Sequence, residues 1–297
     1  MKIVKTSCYN FGVIIDFHTH IFSPRVKKDP GHYAELDPGF AQLYSSPNPK
    51  MATAEELVAG MDKEGVGISV ALNISWGTSE LCIETNDYIM ESMTRYPGRL
   101  VGFGSVPVGS PDAAIVEIER CARGGMRGIG EMRFDPALLR APANDKIMKP
   151  FIEAIIEHNL ILLTHASEPV GHQYAGKGNL TPEVLYPLIT GFPDLQLVCA
   201  HWGGGLPFYA LMPEVKQALN NVYFDTAASP FLYRPRIYQH VAQIVGPEKI
   251  LFGTDYPLLP PHRLLKEIDS LDLPEETKTL ILSGNARRLL GLDQGRD

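Results

Sequence analysis

The 297-residue sequence lacks the features that mark several large classes of protein. It has only four cysteines, Cys8, Cys82, Cys121 and Cys199, and none of them forms a CxxC motif or a paired spacing. This excludes a disulfide-rich scaffold and a cysteine-based zinc module, and we expect a reducing, cytoplasmic environment. Cys199 lies in an apolar run and is expected to be a small buried hydrophobic residue.

Long apolar segments and blocks of basic charge are also missing. No segment approaches the length of a membrane span. The residues before Asp16 include lysines but no sustained apolar run, so we expect no signal peptide. The formal net charge is −7 and no basic block offsets it, which argues against a nucleic-acid or membrane-surface partner. We expect a small-molecule substrate and leave homo-oligomerisation open.

Apolar runs, often β-branched, recur along the whole chain. With 44% hydrophobic and 21% charged residues, the composition is that of an ordinary globular protein able to bury a core. Near-continuous apolar strands are buried on both faces, as in a parallel sheet covered by helices. The eight runs are "VIIDF" (13–17), "GISVALN" (67–73), "LVGFGSV" (100–106), "RGIGEM" (127–132), "LILLTH" (160–165), "LQLVCAH" (195–201), "NVYFDT" (221–226) and "ILFGTD" (250–255).

Helix-like segments separate several of these runs. One begins with a capping-box pattern at Thr53 and ends at Gly65, and another spans 110–124. A third, over 144–159, has apolar residues on one stripe, but Pro150 should delay its start or kink it. Alternation of strands and helices therefore extends through the chain.

Eight strand–helix units at this length predict a closed (β/α)8 TIM barrel that forms a single domain over 1–297. An open doubly wound sheet would have a glycine-rich dinucleotide turn after its first strand, and none is present. Residues 21–52, rich in Pro, Gly and polar residues, are predicted to be a long loop at the barrel mouth that serves as a lid or binding loop. The "RVKKDP" cluster within it is expected to be solvated, and 291–297 are predicted to be a short tail.

Metal-binding side chains stand where the apolar runs end. In "IIDFHTH", His18 and His20 point to the same side of a strand, and Asp16 faces the same way, where it could support a ligand imidazole. An isolated His-x-His pair is common by chance, but here four more strands end in such residues, namely Glu131, His165, His201 and Asp255. In a barrel these positions converge at one mouth, so we predict a site for a divalent metal ion.

The stretches "DFHTH", "THAS", "AHWGG" and "FGTDYP" resemble the amidohydrolase superfamily. They are similar in particular to its amidohydrolase-related group, which includes aminocarboxymuconate-semialdehyde decarboxylases, and the closing "GNARRLLGL" also fits. The resemblance implies a metal-dependent TIM barrel with His18, His20, His165 and Asp255 around one ion, with zinc expected. It also implies that His201 is a second metal ligand or an acid/base group.

Glu131 leaves two alternatives open. Metal-dependent deoxyribonucleases of the superfamily use a glutamate on this strand to bridge two metals, and Glu131 fits that pattern. It could equally be a salt-bridge partner of Arg133 or Arg127 and no ligand. A carboxylated lysine, the other bridging group of the superfamily, is disfavoured because the strand has Glu131 there. One or two ions are therefore both compatible with the sequence, with one slightly favoured.

Hydrolysis is the reaction that we expect from such a site. Zinc lowers the pKa of a bound water from about 15.7 to roughly 7. Asp255 could take the proton of that water, and His201, if it is not a ligand, could stabilise the oxyanion. We therefore expect cleavage of a C–N or C–O bond, of amide or lactone type, in a small carboxylated substrate. The alternatives are a non-oxidative decarboxylase, a binuclear phosphoesterase and a non-catalytic binding barrel.

Few residues outside this set have a predicted role. Arg133 could bind a substrate carboxylate bidentately. His172 lies with Tyr174 and Lys177 in a polar loop after the fifth strand and is a second candidate for substrate binding. Asp225 also ends a strand, but a helix cap or loop hydrogen bond explains it adequately.

Overall fold

The structure, a computed structural model, describes residues 13–292. Eight parallel strands lie in one sheet in the order in which they occur along the chain. They are β1 (Ile14–His20), β2 (Val66–Leu72), β3 (Leu100–Gly104), β4 (Gly128–Met132), β5 (Ile161–Thr164), β6 (Leu197–Cys199), β7 (Val222–Asp225) and β8 (Ile250–Leu251). All eight predicted strands are confirmed.

Backbone hydrogen bonds between β1 and the segment after β8 close the sheet. The amide of Phe17 donates to the carbonyl of Phe252 at 2.7 Å, and the amide of Asp255 donates to the carbonyl of His18 at 2.9 Å. The predicted (β/α)8 barrel is confirmed. Closure places the carboxyl ends of β1 and β8 side by side, which matters for the site described below.

Helices and helical turns follow the strands. The helices are α1 (Pro24–Lys28), α2 (Pro30–Leu36), α3 (Pro38–Tyr44), α4 (Ala54–Glu64), α5 (Ser79–Arg95), α6 (Pro111–Arg123), α7 (Met148–Glu157), α8 (Pro182–Gly191), the single turn α9 (Ala200–Gly203), α10 (Pro213–Ala218), α11 (Ser229–Leu232), α12 (Ile237–Val245), α13 (Pro261–Asp269), α14 (Glu275–Thr279) and α15 (Asn285–Leu289). Short 3-10 turns cover Pro136–Leu139, Pro142–Asn144, Leu206–Leu211, Leu219–Asn221 and Pro247–Lys249, and a π-helical turn covers Leu280–Gly284.

The sequence signals explain where several helices begin and end. The predicted capping box of α4 is present, because the Thr53 side chain accepts from the Glu56 amide and the Glu56 side chain accepts from the Thr53 amide. Gly65 ends α4 in the left-handed conformation. Helix α7 begins at Met148, so Pro150 lies in its first turn, where its missing N–H costs nothing.

Two apolar cores hold the barrel together. One fills its interior and includes Phe17, Phe103 and Leu163, and the other lies between the sheet and the helices. Cys199 is fully buried, as expected, whereas Cys8 lies outside the described residues. No helix within 13–292 is long and apolar enough to cross a membrane.

Residues 21–52 are not the structureless loop that the composition predicted. They form α1, α2 and α3, so the "RVKKDP" stretch is largely helical as well. Each helix begins with a proline preceded by a capping residue, Ser23, Asp29 or Asp37, whose side chain accepts a backbone N–H. The prolines start helices here and do not break them.

The three helices pack as one unit over the barrel mouth. Phe40 of α3 stacks on Trp76 after β2, with ring centroids 5.1 Å apart. Around them lies a small aromatic and aliphatic core, defined here as the cover core: Phe22, Val26, Tyr33, Phe40, Met51, Ile74, Trp76, Leu81 and Cys82. Of the predicted tail at 291–297, residues 293–297 lie outside the described part of the chain, and a single domain over 1–297 stays a prediction.

Candidate metal centre

The six predicted ligands lie together at the carboxyl-terminal mouth of the barrel. Glu131 belongs to β4 and Asp255 to the segment after β8. His18 and His20 end β1, His165 directly follows β5, and His201 lies in α9 after β6. The five side chains other than Asp255 are buried. Residues up to 237 positions apart in sequence therefore share one small volume, as the barrel topology predicts.

Three of these side chains converge on one point. The Nε2 atoms of His18 and His20 are 3.1 Å apart. Oδ1 of Asp255 lies 3.2 Å from Nε2 of His20 and 3.8 Å from Nε2 of His18. Two imidazole nitrogens and a carboxylate oxygen that face each other in a buried site form a donor set for a divalent cation. The residues present thus fit the ion that the sequence predicts.

Glu131 joins this group to the other two histidines. Its Oε1 lies 2.8 Å from Nδ1 of His165 and 3.3 Å from Nε2 of His201. Its Oε2 lies 3.8 Å from Nε2 of His20 and 4.0 Å from Nε2 of His18. Within the described residues Glu131 forms no ion pair with an arginine, so the predicted alternative of a salt bridge is not found.

Backbone carbonyls determine which nitrogen of two imidazoles faces the centre. Nε2 of His165 lies 2.9 Å from the carbonyl of Lys177, and Nδ1 of His201 lies 3.2 Å from the carbonyl of Ala227. A carbonyl can only accept, so these nitrogens carry the hydrogen. The lone pairs on Nδ1 of His165 and Nε2 of His201 then face Glu131, and the one on His165 also lies 3.2 Å from the Arg133 guanidinium. This arrangement prepares both rings to bind a cation.

Asp225 is the functional residue that the sequence reasoning missed. Its Oδ2 lies 2.8 Å from Nδ1 of His18, which leaves Nε2 of His18 free to bind a metal. Its Oδ1 accepts the amides of His201 and Ala227, the loop hydrogen bonds that the sequence did predict. The signal was available, because Asp225 ends β7 just as the other candidates end their strands.

Asp16 was assigned this supporting role, and that prediction is wrong. Its Oδ1 accepts the amides of His18 and Thr254, and its Oδ2 accepts the hydroxyl of Thr254 at 2.6 Å. Within residues 13–292 it makes no hydrogen bond to an imidazole. Burial raises the pKa of Asp16 to about 7, against the effect of these hydrogen bonds. Asp16 therefore ties β1 to the segment after β8 and does not orient a ligand ring.

The electrostatics of the site charge its carboxylates and keep the His165 imidazole neutral, but they favour protonation of two other rings. Against burial, Asp225 and the neighbouring carboxylates raise the pKa of His18 to about 10, and Glu131 raises the pKa of His201, so a cation that binds here displaces these protons. Burial alone would raise the pKa of Glu131, but His165 and the other neighbouring histidines outweigh it and lower that pKa well below its usual value. The pKa of Asp255 is likewise lowered, by its hydrogen bond to His20 and by further histidines, against burial. Burial and the Arg133 guanidinium lower the pKa of His165. Charged carboxylates and a neutral imidazole are the forms that bind metals.

Two of the candidate ligands sit on a strained backbone. His201 has φ 55° and Asp255 has φ 66°, both in the left-handed region that non-glycine residues rarely adopt. Such conformations cost about 1–3 kcal/mol each and persist where surrounding structure enforces them. Here they turn both side chains into the mouth immediately after their strands end.

A cavity of about 550 Å³ opens above these residues. Its walls come from α3 and the residues after it, the loop around His172, helix α11 and the segment after β8. They include Leu43, Tyr44, Lys50, Ile74, Tyr174, Phe231, Leu232, Pro257 and Leu258. The volume falls in the range of small-molecule sites, and most of the lining is apolar or aromatic.

The two predicted substrate-binding residues, Arg133 and His172, both line this cavity. The guanidinium of Arg133 donates to the carbonyl of Gly176 at 2.5 Å and lies 3.2 Å from Nδ1 of His165. Within residues 13–292 it has no carboxylate partner. Lys177, by contrast, directs its ammonium to the carbonyls of Val170 and His172. Lys50 also lines the cavity and donates to the carbonyl of Leu258, so Arg133 is distinguished by its contact with the candidate ligand His165.

Proteins of similar sequence include two decarboxylases. A 2-amino-3-carboxymuconate-6-semialdehyde decarboxylase of Dictyostelium discoideum is 26% identical over 71% of this chain and 66% of its own length, just under two thirds. A 6-methylsalicylic acid decarboxylase of Penicillium expansum is 23% identical over 93% of this chain and 95% of its own.

A solved structure of similar fold is 5-carboxyvanillate decarboxylase of Novosphingobium aromaticivorans, in complex with manganese and 4-hydroxy-3-methoxy-5-nitrobenzoic acid. Its TM-score is 0.76 at 19% identity, and the match covers 94% of this chain and 96% of that one. This likeness supports the fold.

The expected hydrolysis of an amide or lactone is wrong. The two relatives named above are decarboxylases, which break a C–C bond, and they match the stated alternative better than the main prediction. The physical reason for the error is that the same imidazole and carboxylate donors serve both reactions. The ligand pattern identifies the metal chemistry of the superfamily and does not select the bond that is broken.

One comparison covers nearly the whole described chain. A family model described as Amidohydrolase matches residues 15–292, from β1 to the residues after α15. This confirms the family resemblance of the strand-end motifs. The chain belongs to the amidohydrolase family and is an enzyme of the amidohydrolase superfamily.

Proposed function

We propose that this protein is a metal-dependent, non-oxidative decarboxylase that acts on a small aromatic or conjugated carboxylic acid. The observation that supports this most directly is the decarboxylase identity of two sequence relatives, one of which matches over almost the entire chain. The cavity is compatible with such a substrate, because apolar and aromatic side chains surround the candidate metal ligands.

The substrate carboxylate has a natural partner in Arg133. This guanidinium lines the cavity next to His165 and has no carboxylate partner within the described residues. A planar guanidinium binds a carboxylate bidentately. We infer that Arg133 orients the carboxylated substrate over the candidate ligands, with His172 further out on the same wall.

We infer that His18, His20, His165 and Asp255 hold a divalent metal ion, with Glu131 and His201 beside it. Zinc is the ion expected from the sequence, and manganese is bound by the 5-carboxyvanillate decarboxylase of similar fold. Imidazole and carboxylate donors accept both ions. Such an ion supplies positive charge that polarises the oxygen substituents of a bound acid.

The remaining chemistry is a proton transfer. The carbon that bears the carboxylate takes a proton, the C–C bond to the carboxylate breaks, and its electron pair restores the conjugated system as carbon dioxide leaves. Asp255 lines the cavity, and we infer that its carboxylate, which is charged in the resting site, takes a proton from solvent and passes it to that carbon. His201 also lines the cavity, and its Nδ1 hydrogen is engaged by Ala227, so its Nε2 is the atom that can exchange a proton.

Product analysis tests this proposal. Metal-loaded protein is incubated with a panel of hydroxybenzoates and dicarboxylated aromatics. Release of carbon dioxide is measured, and the decarboxylated phenol is identified by chromatography. We expect conversion of at least one acid, which is abolished in Asp255→Asn. Lactones and amides serve as the comparison, and their hydrolysis without any decarboxylation would contradict the proposal.

A further inference from the structure

A second cavity, of about 390 Å³, adjoins the one over the candidate metal centre. Three residues, His172, Tyr174 and Leu232, line both cavities and therefore form the wall between them. The second cavity is rich in aromatic rings, with Phe208, Tyr209 and Tyr233 on its other sides. Phe208 and Tyr209 are exposed there. Nothing in the chemistry proposed above uses this space.

Glu168 lies at the edge of this second cavity, three residues after His165. The hydroxyl of Tyr174 donates to its Oε2 at 3.4 Å, a long hydrogen bond. Its Oε1 is buried and has no hydrogen-bond partner within the described residues. Burial first, and the Glu168 carboxylate second, raise the pKa of the Tyr233 hydroxyl. The carboxylate therefore lacks a full set of donors while Tyr174 covers it.

Lys177 also lines the second cavity but does not compensate Glu168. Its ammonium donates to the carbonyls of Val170 and His172 and forms no ion pair with Glu168. Within residues 13–292 Glu168 has no cationic partner at ion-pair distance. An unpaired buried carboxylate oxygen favours a donor brought by a ligand.

We propose that the second cavity is a distal subsite of the same active site, that Tyr174 acts as the gate between the two cavities, and that Glu168 accepts a hydrogen bond from a hydroxyl or amino group at the far end of the ligand. The chemical identity of the ligand's other end, which lies at the metal centre, rests on the proposed function. A ligand that spans both cavities has an acidic ring at the metal centre and a second ring or chain that ends in a donor. The charge of Glu168 disfavours a distal carboxylate next to it.

Five ligands test this in the metal-loaded full-length protein. They are 2-nitrophenol, in which a nitro group replaces the carboxylate, and its derivatives with a phenyl or a 4-aminophenyl ring at carbon 4 or carbon 5. We expect calorimetry to show that one aminophenyl isomer binds at least tenfold more tightly than its phenyl counterpart. Glu168→Ala should abolish that difference and leave 2-nitrophenol binding within threefold.

Substitutions in the wall between the cavities distinguish a specific role of Tyr174 as a gate from a general loosening of the second cavity. Tyr174→Ala removes the ring that divides the cavities. The phenyl ligand should therefore bind this variant at least tenfold more tightly than it binds the wild type, whereas the affinity for 2-nitrophenol should stay within threefold of the wild-type value. Tyr209→Ala is the matched control, because Tyr209 lines the second cavity but not the first. An aminophenyl preference that survives Glu168→Ala, or a phenyl affinity that Tyr174→Ala does not change, would overturn the proposal.

A crystallographic probe keeps the subsite test independent of the proposed function. Crystals of wild type and Tyr174→Ala are soaked with p-toluidine, and its amino group should lie within hydrogen-bond distance of Glu168. If 2-nitrophenol fails to bind but p-toluidine occupies this position, the proposed substrate class fails and the subsite stands. If p-toluidine is absent from the second cavity in both proteins, the subsite is refuted.

Discussion

Oδ2 of Asp225, at the end of β7, lies 2.8 Å from Nδ1 of His18 in β1, although the two residues are 207 positions apart. Both side chains are fully buried. This contact fixes the tautomer of His18 and directs its Nε2 towards His20 and Asp255. The carboxylate of one strand thus prepares the imidazole of another to bind a metal.

Loss of this support should weaken metal binding. We expect Asp225→Asn to lower the metal affinity about 10–100-fold. An amide carries no negative charge to strengthen the His18 imidazole as a ligand, and it orients the ring less firmly than the carboxylate does. Competition with a chromogenic chelator measures the affinity, and Asp194→Asn, at an exposed position, is the control. An unchanged affinity in Asp225→Asn would show that the contact only stabilises the fold.

Removal of a candidate ligand should stop the reaction without unfolding the barrel. His18→Ala and Asp255→Asn are each expected to abolish turnover and to reduce bound metal below one equivalent per chain. Metal analysis and circular dichroism on the same samples check both effects. Retained activity in either variant would count against the ligand set proposed here.

Arg133 should affect substrate binding more than the chemical step. We expect Arg133→Gln to raise KM about tenfold or more for a carboxylated substrate. Arg133→Lys keeps the charge but loses the bidentate geometry, so its KM should lie between those of the wild type and Arg133→Gln. Steady-state kinetics with the substrate found by product analysis gives both constants. A KM unchanged in Arg133→Gln would assign the carboxylate to another group.

Metal depletion should abolish activity reversibly. After dialysis against a chelator we expect no decarboxylation, and restoration on addition of one equivalent of zinc or manganese per chain. The ion that restores the higher rate identifies the preferred metal, and a requirement for a second equivalent would show a two-metal site, with Glu131 as the candidate bridging group. Full activity in the depleted protein would remove the metal from the mechanism.

The cover core should contribute stability to the mouth of the barrel. Phe40 is fully buried and stacks on Trp76. Phe40→Ala should lower the free energy of unfolding by about 3–5 kcal/mol, as large-to-small substitutions of buried aromatic residues do. Denaturant unfolding measures this loss, and Phe231→Ala, which removes an exposed ring, should cost much less.

The sequence by itself determined the barrel fold and the location of the site at the carboxyl-terminal mouth. Eight apolar runs separated by helical signals predict parallel strands, and parallel strands in a closed barrel bring their carboxyl ends together. His18, Glu131 and Asp255 could therefore be placed at one mouth before any distance was known. The family resemblance followed from the same strand-end residues, which the family model covers from 15 to 292.

Only the tertiary structure decided how these groups are arranged. That Asp225 and not Asp16 supports the His18 ring depends on the exact packing of β7 against β1, which strand periodicity does not encode. The helices within 21–52 depend on the cover core around Trp76, because short helices need tertiary contacts to be stable. The two adjoining cavities likewise arise from loops that meet only in the folded chain, so their shape is invisible in the sequence.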